Sequence, residues 1–305
     1  MSLSELGLPI VVGIDGSGPS ELALDWAAAQ AAGEGRRLVL LTAASWPESS
    51  AWLAGHTIDY NQVRAQVKER SRTVARRCAA RVHESYPDLD IRHDLRFNDP
   101  RDALLDVEAD LVVLGTRGLG SVRRLLLGSV ADAVVKHATR PTVVIREQHG
   151  PASEHGVLVG VAGDDGDPAV IDFACRVAAA RSLPVTAHHS VWAAVGPNES
   201  RDIAATEAGY DADRLPLARA VEYARRHHPD VELSQVLSRG FADLRLISAS
   251  RLADLVVVGH RRKPFLNELV YGSAAPRVVE HAVCSVAVVP YQVQEEAEHR
   301  RSTTT

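Results

Sequence analysis

The chain repeats itself once, and this duplication limits the folds that it can adopt. Residues 109–115 (Ala-Asp-Leu-Val-Val-Leu-Gly) return at 253–259 with six of the seven positions identical. Because the period is about 145 residues, too long for a solenoid repeat, the 305 residues indicate two copies of one domain. We place the copies at residues 1–148 and 149–305, joined through a polar stretch and ending in a flexible tail.

Each copy alternates short apolar segments with amphipathic ones. In the first copy, five segments predict strands, at 10–14, 38–44, 91–97, 111–114 and 142–145. Four others predict helices, at 19–32, 60–86, 99–107 and 129–138. Continuous apolar strands that alternate with helices are typical of a parallel sheet covered on both faces. The sequence therefore predicts an α/β fold with two tandem, doubly wound, parallel five-stranded sheets.

Charge and composition exclude several classes of function. The chain has 34 Lys and Arg against 39 Asp and Glu, a net charge of −5, and only 5% aromatic residues, which disfavours nucleic-acid binding. No apolar run approaches the length of a membrane span, and no export signal precedes the first strand. Three scattered cysteines do not form a disulfide framework or a Cys-rich metal site. We expect a cytoplasmic protein with no nucleic-acid or membrane partner.

Two strand ends in the first copy carry residues suited to a ligand. Asp15-Gly16-Ser17 follows the first strand, and Gly115-Thr116-Arg117-Gly118 follows the fourth. In parallel α/β sheets, ligands bind beyond the carboxyl ends of the strands, where the strand order reverses. Glycines let the backbone approach a ligand closely. A helix that starts after Gly128, with Ser129 as its N-cap, would add its first amides to an anion site. The pattern predicts a phosphate site, although neither a P-loop nor a dinucleotide-binding motif occurs.

The spacing Gly115-x2-Gly118-x9-Gly128-Ser129 resembles the ATP-binding signature of the universal stress protein family, and residues 12–17 resemble that family's first strand end. The resemblance covers nearly the whole chain as two tandem domains, an arrangement known in actinobacterial members. It implies the strand order 3-2-1-4-5 with ATP between strands 1 and 4. It also implies Mg²⁺ or Mn²⁺, which we expect the ATP phosphates to hold, and a homodimer.

The resemblance also assigns roles to single residues. Asp15 matches the acid near the ribose, and three residues match the surroundings of the adenine: Gly13, Ile14 and Ala43. Two residues match positions along the nucleoside, Leu114 and Gly115. Four match the phosphate loop: Gly118, Gly128, Ser129 and Val130.

The residues themselves agree with this assignment. Ile14, Ala43 and Leu114 could form an apolar slot for a base. The loop has no lysine, so amides, a helix dipole, a metal ion and the arginines at 117, 123 or 124 must neutralise a triphosphate. Because no catalytic base is evident, we name no catalytic residue and expect a nucleotide-dependent regulator that acts on an unidentified partner protein. The alternatives are a slow ATPase and a scaffold in which ATP is structural.

The second copy departs from the pattern. Ala162 stands in the place of Asp15 and Arg262 in that of Gly118, and Arg262 would either fill the phosphate space or reach a phosphate. Asp164 and Asp165 follow closely and could replace the lost acid. The copy is therefore either an impaired second site or a degenerate half that stabilises its partner. The candidate second site comprises Gly160, Val258, Gly259, Gly272 and Ser273.

Further features concern assembly and access. The last strands of the copies, 142–145 and 286–289, would lie at sheet edges, where they could join two chains or pair within one chain. Trp46 and Trp192 follow the second strands and could pack in the core, at an interface or over a nucleotide. The segment 47–59 is long enough to form a lid.

Overall fold

The computed structural model describes residues 7–45, 60–118, 127–147, 155–193, 201–262 and 274–292. Several features singled out above lie outside these ranges: Trp46, the segment 47–59, Arg123, Arg124, Gly272, Ser273 and the tail after residue 292. The chain divides into two compact units, Met1–His149 and Gly150–Thr305.

The first unit contains five strands and four helices among its described residues. Its strands are β1 (Ile10–Gly13), β2 (Leu38–Ala43), β3 (Ile91–Arg96), β4 (Leu111–Gly115) and β5 (Thr142–Ile145). Its helices are α1 (Gly18–Glu34), α2 (Tyr60–Ser85), α3 (Pro100–Leu105) and α4 (Ser129–His137). All strand pairs within the unit are parallel, in the order β3-β2-β1-β4-β5.

The second unit repeats this arrangement. Its strands are β6 (Val157–Gly160), β7 (Val185–Val191), β8 (Leu233–Arg239), β9 (Leu255–Arg262) and β10 (Ser285–Gln292). Its helices are α5 (Asp167–Arg181), α6 (Asp211–His227), α7 (Ala242–Ala249) and α8 (Ala275–His281). The parallel order is β8-β7-β6-β9-β10, which matches that of the first unit. The predicted fold class and strand order are confirmed.

The core lies where helices cover both faces of each sheet. The central strands β1 and β4 are apolar at nearly every position, and Ile10, Val12 and Val113 have no exposed surface. On α1, the residues that face the sheet are small, and Ala23, Ala27 and Ala31 are fully buried. All strands of a parallel sheet end at the same edge, so the residues that follow β1, β2 and β4 meet there.

The helix starts follow capping rules, with one difference from expectation. Asp99 caps α3, since its carboxylate accepts a hydrogen bond of 2.8 Å from the Arg101 amide and Pro100 opens the helix. In α4 the N-cap is Gly128, so the expected N-cap role of Ser129 is wrong. Ser129 is instead the first helical residue, with an exposed side chain. No helix among the described residues is long and apolar enough to cross a membrane.

Candidate functional site

A cavity of about 450 Å³ opens at the carboxyl edge of the first unit. This volume lies within the range of small-molecule sites. All eleven residues that the sequence analysis assigned to the first site line it: Gly13, Ile14, Asp15, Ala43, Leu114, Gly115, Arg117, Gly118, Gly128, Ser129 and Val130. Six further described residues also line it: Ser20, Leu41, Pro100, Leu104, Thr116 and Ala131.

Asp15 occupies the turn between β1 and α1. Its Oδ1 accepts a hydrogen bond of 2.9 Å from the Ser17 amide, and Gly16 takes a positive φ of 83° that lets the chain reverse there. Ser17 then caps α1, since its hydroxyl accepts from the Ser20 amide at 3.4 Å. This arrangement fixes an exposed carboxylate at the mouth of the cavity.

The loop after β4 approaches this turn closely. A Cβ atom at Gly118 would stand 2.5 Å from Oδ2 of Asp15, so only glycine fits at this position while the Asp15 carboxylate stays in place. A Cβ atom at Gly115 would stand 2.5 Å from the carbonyl oxygen of Pro19. Close packing against backbone therefore requires glycine at 115, whereas a side chain at 118 would have to displace the Asp15 carboxylate.

The two ends of the glycine loop are joined by a hydrogen bond. The Gly128 amide donates to the Thr116 carbonyl at 2.7 Å, and α4 begins directly afterwards. The first amides of a helix have no partner within it, so those of α4 point toward this end of the cavity together with the positive end of the helix dipole. Loop and helix start therefore form a place suited to an anion.

Arg117 adds a cation to this end of the cavity. Its Nε atom is buried and has no hydrogen-bond partner among the described residues. A buried donor without an acceptor is costly, by about 1–3 kcal/mol. Asp15 is the one carboxylate among the described lining residues, and Arg117 is the one guanidinium. A negatively charged group in the cavity would satisfy the Arg117 donor.

The inner wall of the cavity is apolar. Ile14, Leu41 and Leu114 are buried, and Leu104 reaches the same wall from α3. The apolar end of β2 in the sequence could have indicated Leu41. By contrast, nothing in the sequence linked Pro100 and Leu104 to the strand ends, because the position of α3 over the sheet is a tertiary feature.

The second unit places only part of its candidate site in the same way. Gly160 ends β6, and Val258 and Gly259 lie in β9, the counterpart of β4. Whereas β4 ends at Gly115, β9 continues as a strand through Arg262. The backbone turn that carries Gly118 in the first unit therefore has no counterpart at the matching position of the second.

Comparison with known proteins decides the family. A sequence model described as the universal stress protein family matches residues 8–146 and 155–290. The chain belongs to the universal stress protein family. The two matches confirm the tandem arrangement inferred from the internal repeat.

Curated relatives and solved structures agree with this membership. A universal stress protein of Mycolicibacterium smegmatis is 28% identical over 298 residues, covering 94% of this chain and 98% of that protein. One from Mycobacterium tuberculosis H37Rv is 29% identical over 294 residues, covering 92% of this chain and 95% of that protein. The crystal structure of a universal stress protein from Archaeoglobus fulgidus superposes with a TM-score of 0.68 at 14% identity, covering 92% of this chain and 98% of that one. At that identity the superposition supports the fold alone.

Proposed function

We propose that this universal stress protein is an ATP-binding regulator whose first unit binds the nucleotide. The observation that carries the proposal is the cavity at the carboxyl edge of β1 and β4, where an acid, a glycine loop and a helix start converge. The apolar wall suits a base, Asp15 suits ribose hydroxyls, and the loop amides with α4 suit phosphates. The unpartnered Nε of Arg117 suits a phosphate oxygen.

A metal ion that accompanies the nucleotide would be held mainly by phosphate oxygens. Asp15 is the one carboxylate among the described residues of the cavity lining. The part of the chain that the structure describes contains no group of three or more His, Cys, Asp or Glu side chains that could hold a metal. Mg²⁺ or Mn²⁺ bound to ATP fits this donor set, and Asp15 is the carboxylate of the described lining that could add a ligand.

The same lining favours binding over hydrolysis. No lysine or histidine occurs among the described lining residues, and Oδ1 of Asp15 already accepts from the Ser17 amide. Phosphoryl transfer requires a positioned nucleophile and strong stabilisation of the transition state. We therefore propose a regulator that reports its nucleotide state to a partner protein. Release of several ADP molecules per chain, lost in Asp15→Asn, would instead favour the slow ATPase.

The substitution Gly118→Ala tests the site. We expect at least about a tenfold loss in ATP affinity, roughly 1.4 kcal/mol, because the new methyl group collides with the Asp15 carboxylate. The measurement is isothermal titration with Mg-ATP. The matched control is Gly18→Ala, since a Cβ atom at Gly18 meets no atom within 4 Å. If both variants bind ATP with the affinity of the unaltered chain, the site assignment is wrong.

A further inference from the structure

The loop after β6 is held by a carboxylate of its own unit. Asp167, the first residue of α5, accepts hydrogen bonds from the Ala162 amide at 2.8 Å and the Gly163 amide at 2.7 Å. Ser20 is its counterpart in the first unit, at an offset of 147 residues. The Ala162 and Gly163 amides are therefore bonded to a carboxylate of the same unit. Burial raises the pKa of the Asp167 carboxyl, and the two amide donors oppose this shift.

The acid that could replace Asp15 is also engaged. Asp164 accepts from the Gly166 amide at 2.9 Å and from the Tyr291 hydroxyl at 2.7 Å. Tyr291 belongs to the part of β10 that has no counterpart in β5, and its ring lies against Gly166 and Gly259. Burial raises the pKa of Tyr291, so the phenol stays protonated and keeps donating. Asp164 is thus tied to the sheet of its own unit.

The counterpart of the apolar slot is polar and bonded on one side, through Nε2 of His188, whereas the buried Nδ1 has no partner among the described residues. Strand register pairs Gly13 with Leu41 in the first unit and Gly160 with His188 in the second, so His188 replaces Leu41. His188 is 4% exposed, and its Nε2 lies 3.1 Å from Oγ of Ser238. The Ser238 hydroxyl lies 3.1 Å from that of Ser190, which takes the place of Ala43. These side chains join β7 to β8 across the position of the base slot.

The start of the glycine loop is replaced by strand pairing in the second unit. Residues 260–262 of β9 lie in parallel register with residues 290–292 of β10. In the first unit, β4 and β5 stop at Gly115 and Ile145, and the chain then turns into the glycine loop. The backbone that corresponds to residues 116–118 is therefore part of a sheet in the second unit.

We infer that the second unit is closed to nucleotide by its own side chains, and that the chain binds a single nucleotide, in the first unit. Three described parts of the first site have a replacement that is bonded within the second unit: Asp167 and Asp164 at the first loop, His188 with Ser238 at the base slot, and paired strands in place of the start of the glycine loop. The count of one rests on the proposed function. The closure of the second unit rests only on contacts between residues of that unit.

Equilibrium dialysis of the full chain against labelled Mg-ATP, up to millimolar concentration, measures the count. We expect one site per chain, and none in Gly118→Val, whose larger side chain closes the first site. Two sites, or one saturable site left in Gly118→Val, would overturn the inference while nucleotide binding itself stands. No binding by the unaltered chain would instead overturn the proposed function, and the count of one with it.

Hydrogen exchange followed by mass spectrometry locates the bound nucleotide. With saturating Mg-ATP, we expect at least a tenfold slowing of exchange in peptides that cover residues 13–17, 115–118 and 128–131. Peptides that cover 160–167 and 255–262 should exchange at the same rate with and without Mg-ATP. Protection of these second-unit peptides that persists in Gly118→Val would show an open second site and contradict the closure.

Discussion

The carboxylate beside the first loop has a different role in each unit. Asp15 is exposed at the mouth of a cavity and accepts a hydrogen bond from the Ser17 amide. Asp167 is half-buried and accepts hydrogen bonds from the Ala162 and Gly163 amides. The position of Asp15 directly after an apolar run indicated a ligand-binding role in the sequence. No such pattern singled out Asp167. Asp167-Pro168 repeats the pair Asp99-Pro100, but Gly166 is the N-cap of α5, so a capping pattern could not have revealed the bonds of Asp167.

His188 should make the second unit sensitive to acid. Burial, followed by the nearby Arg245, lowers the pKa of His188 to about 4 from its ordinary 6.5. The unfolded chain therefore takes up the proton first, and the free energy of unfolding falls as the pH drops from about 6.5 to about 4. The loss is about 3 kcal/mol at most.

The variant His188→Leu tests this origin of acid sensitivity. Leucine occupies the matching position in the first unit, so we expect His188→Leu to fold and to lose much less stability than the unaltered chain between pH 7 and pH 4.5. Urea unfolding followed by circular dichroism at both pH values is the measurement. His83→Leu, at an exposed position on α2, is the control. An unchanged pH dependence in His188→Leu would contradict this account.

At the scale of elements, strand ends were the hardest feature to predict. Residues 109–115 and 253–259 are nearly identical, yet β4 stops at Gly115 and β9 continues to Arg262. The difference comes from the partner strand, because β10 extends to Gln292 and keeps pairing with β9. Pairing between distant segments is a tertiary effect that a local pattern cannot reveal. The apolar runs and capping residues did predict which strands and helices exist.

The packing of α1 gives a prediction at this scale. Ala27 is fully buried where α1 lies on the sheet, so Ala27→Leu should overpack this layer and cost about 1–3 kcal/mol of unfolding free energy. Ala80 is exposed on α2, and Ala80→Leu should change stability by less than about 0.5 kcal/mol. Denaturant unfolding of both variants measures the difference. Equal stability of the two would mean that α1 does not pack as closely as described.

At the scale of the molecule, two units with the same fold differ at the carboxyl ends of their strands. The repeat in the sequence predicted the tandem fold, and the spacing of Gly115, Gly118 and Gly128 predicted the cavity of the first unit. The substitutions at Ala162 and Arg262 alone could not predict whether the second unit has an open nucleotide site. It depends on contacts with residues far away in the chain, such as Tyr291 with Asp164. We propose that the first unit binds nucleotide and responds to it, and that the second unit binds none and keeps one conformation.

The most direct test of the central claim is to quantify nucleotide on the purified chain. The protein is prepared without added nucleotide and denatured in acid, and the released compounds are separated by chromatography. A parallel sample is titrated with Mg-ATP while its thermal unfolding is followed. The account predicts ATP at up to one per chain, and a midpoint that rises with Mg-ATP in the unaltered protein but not in Gly118→Val. No released nucleotide together with no thermal shift at millimolar Mg-ATP would contradict it.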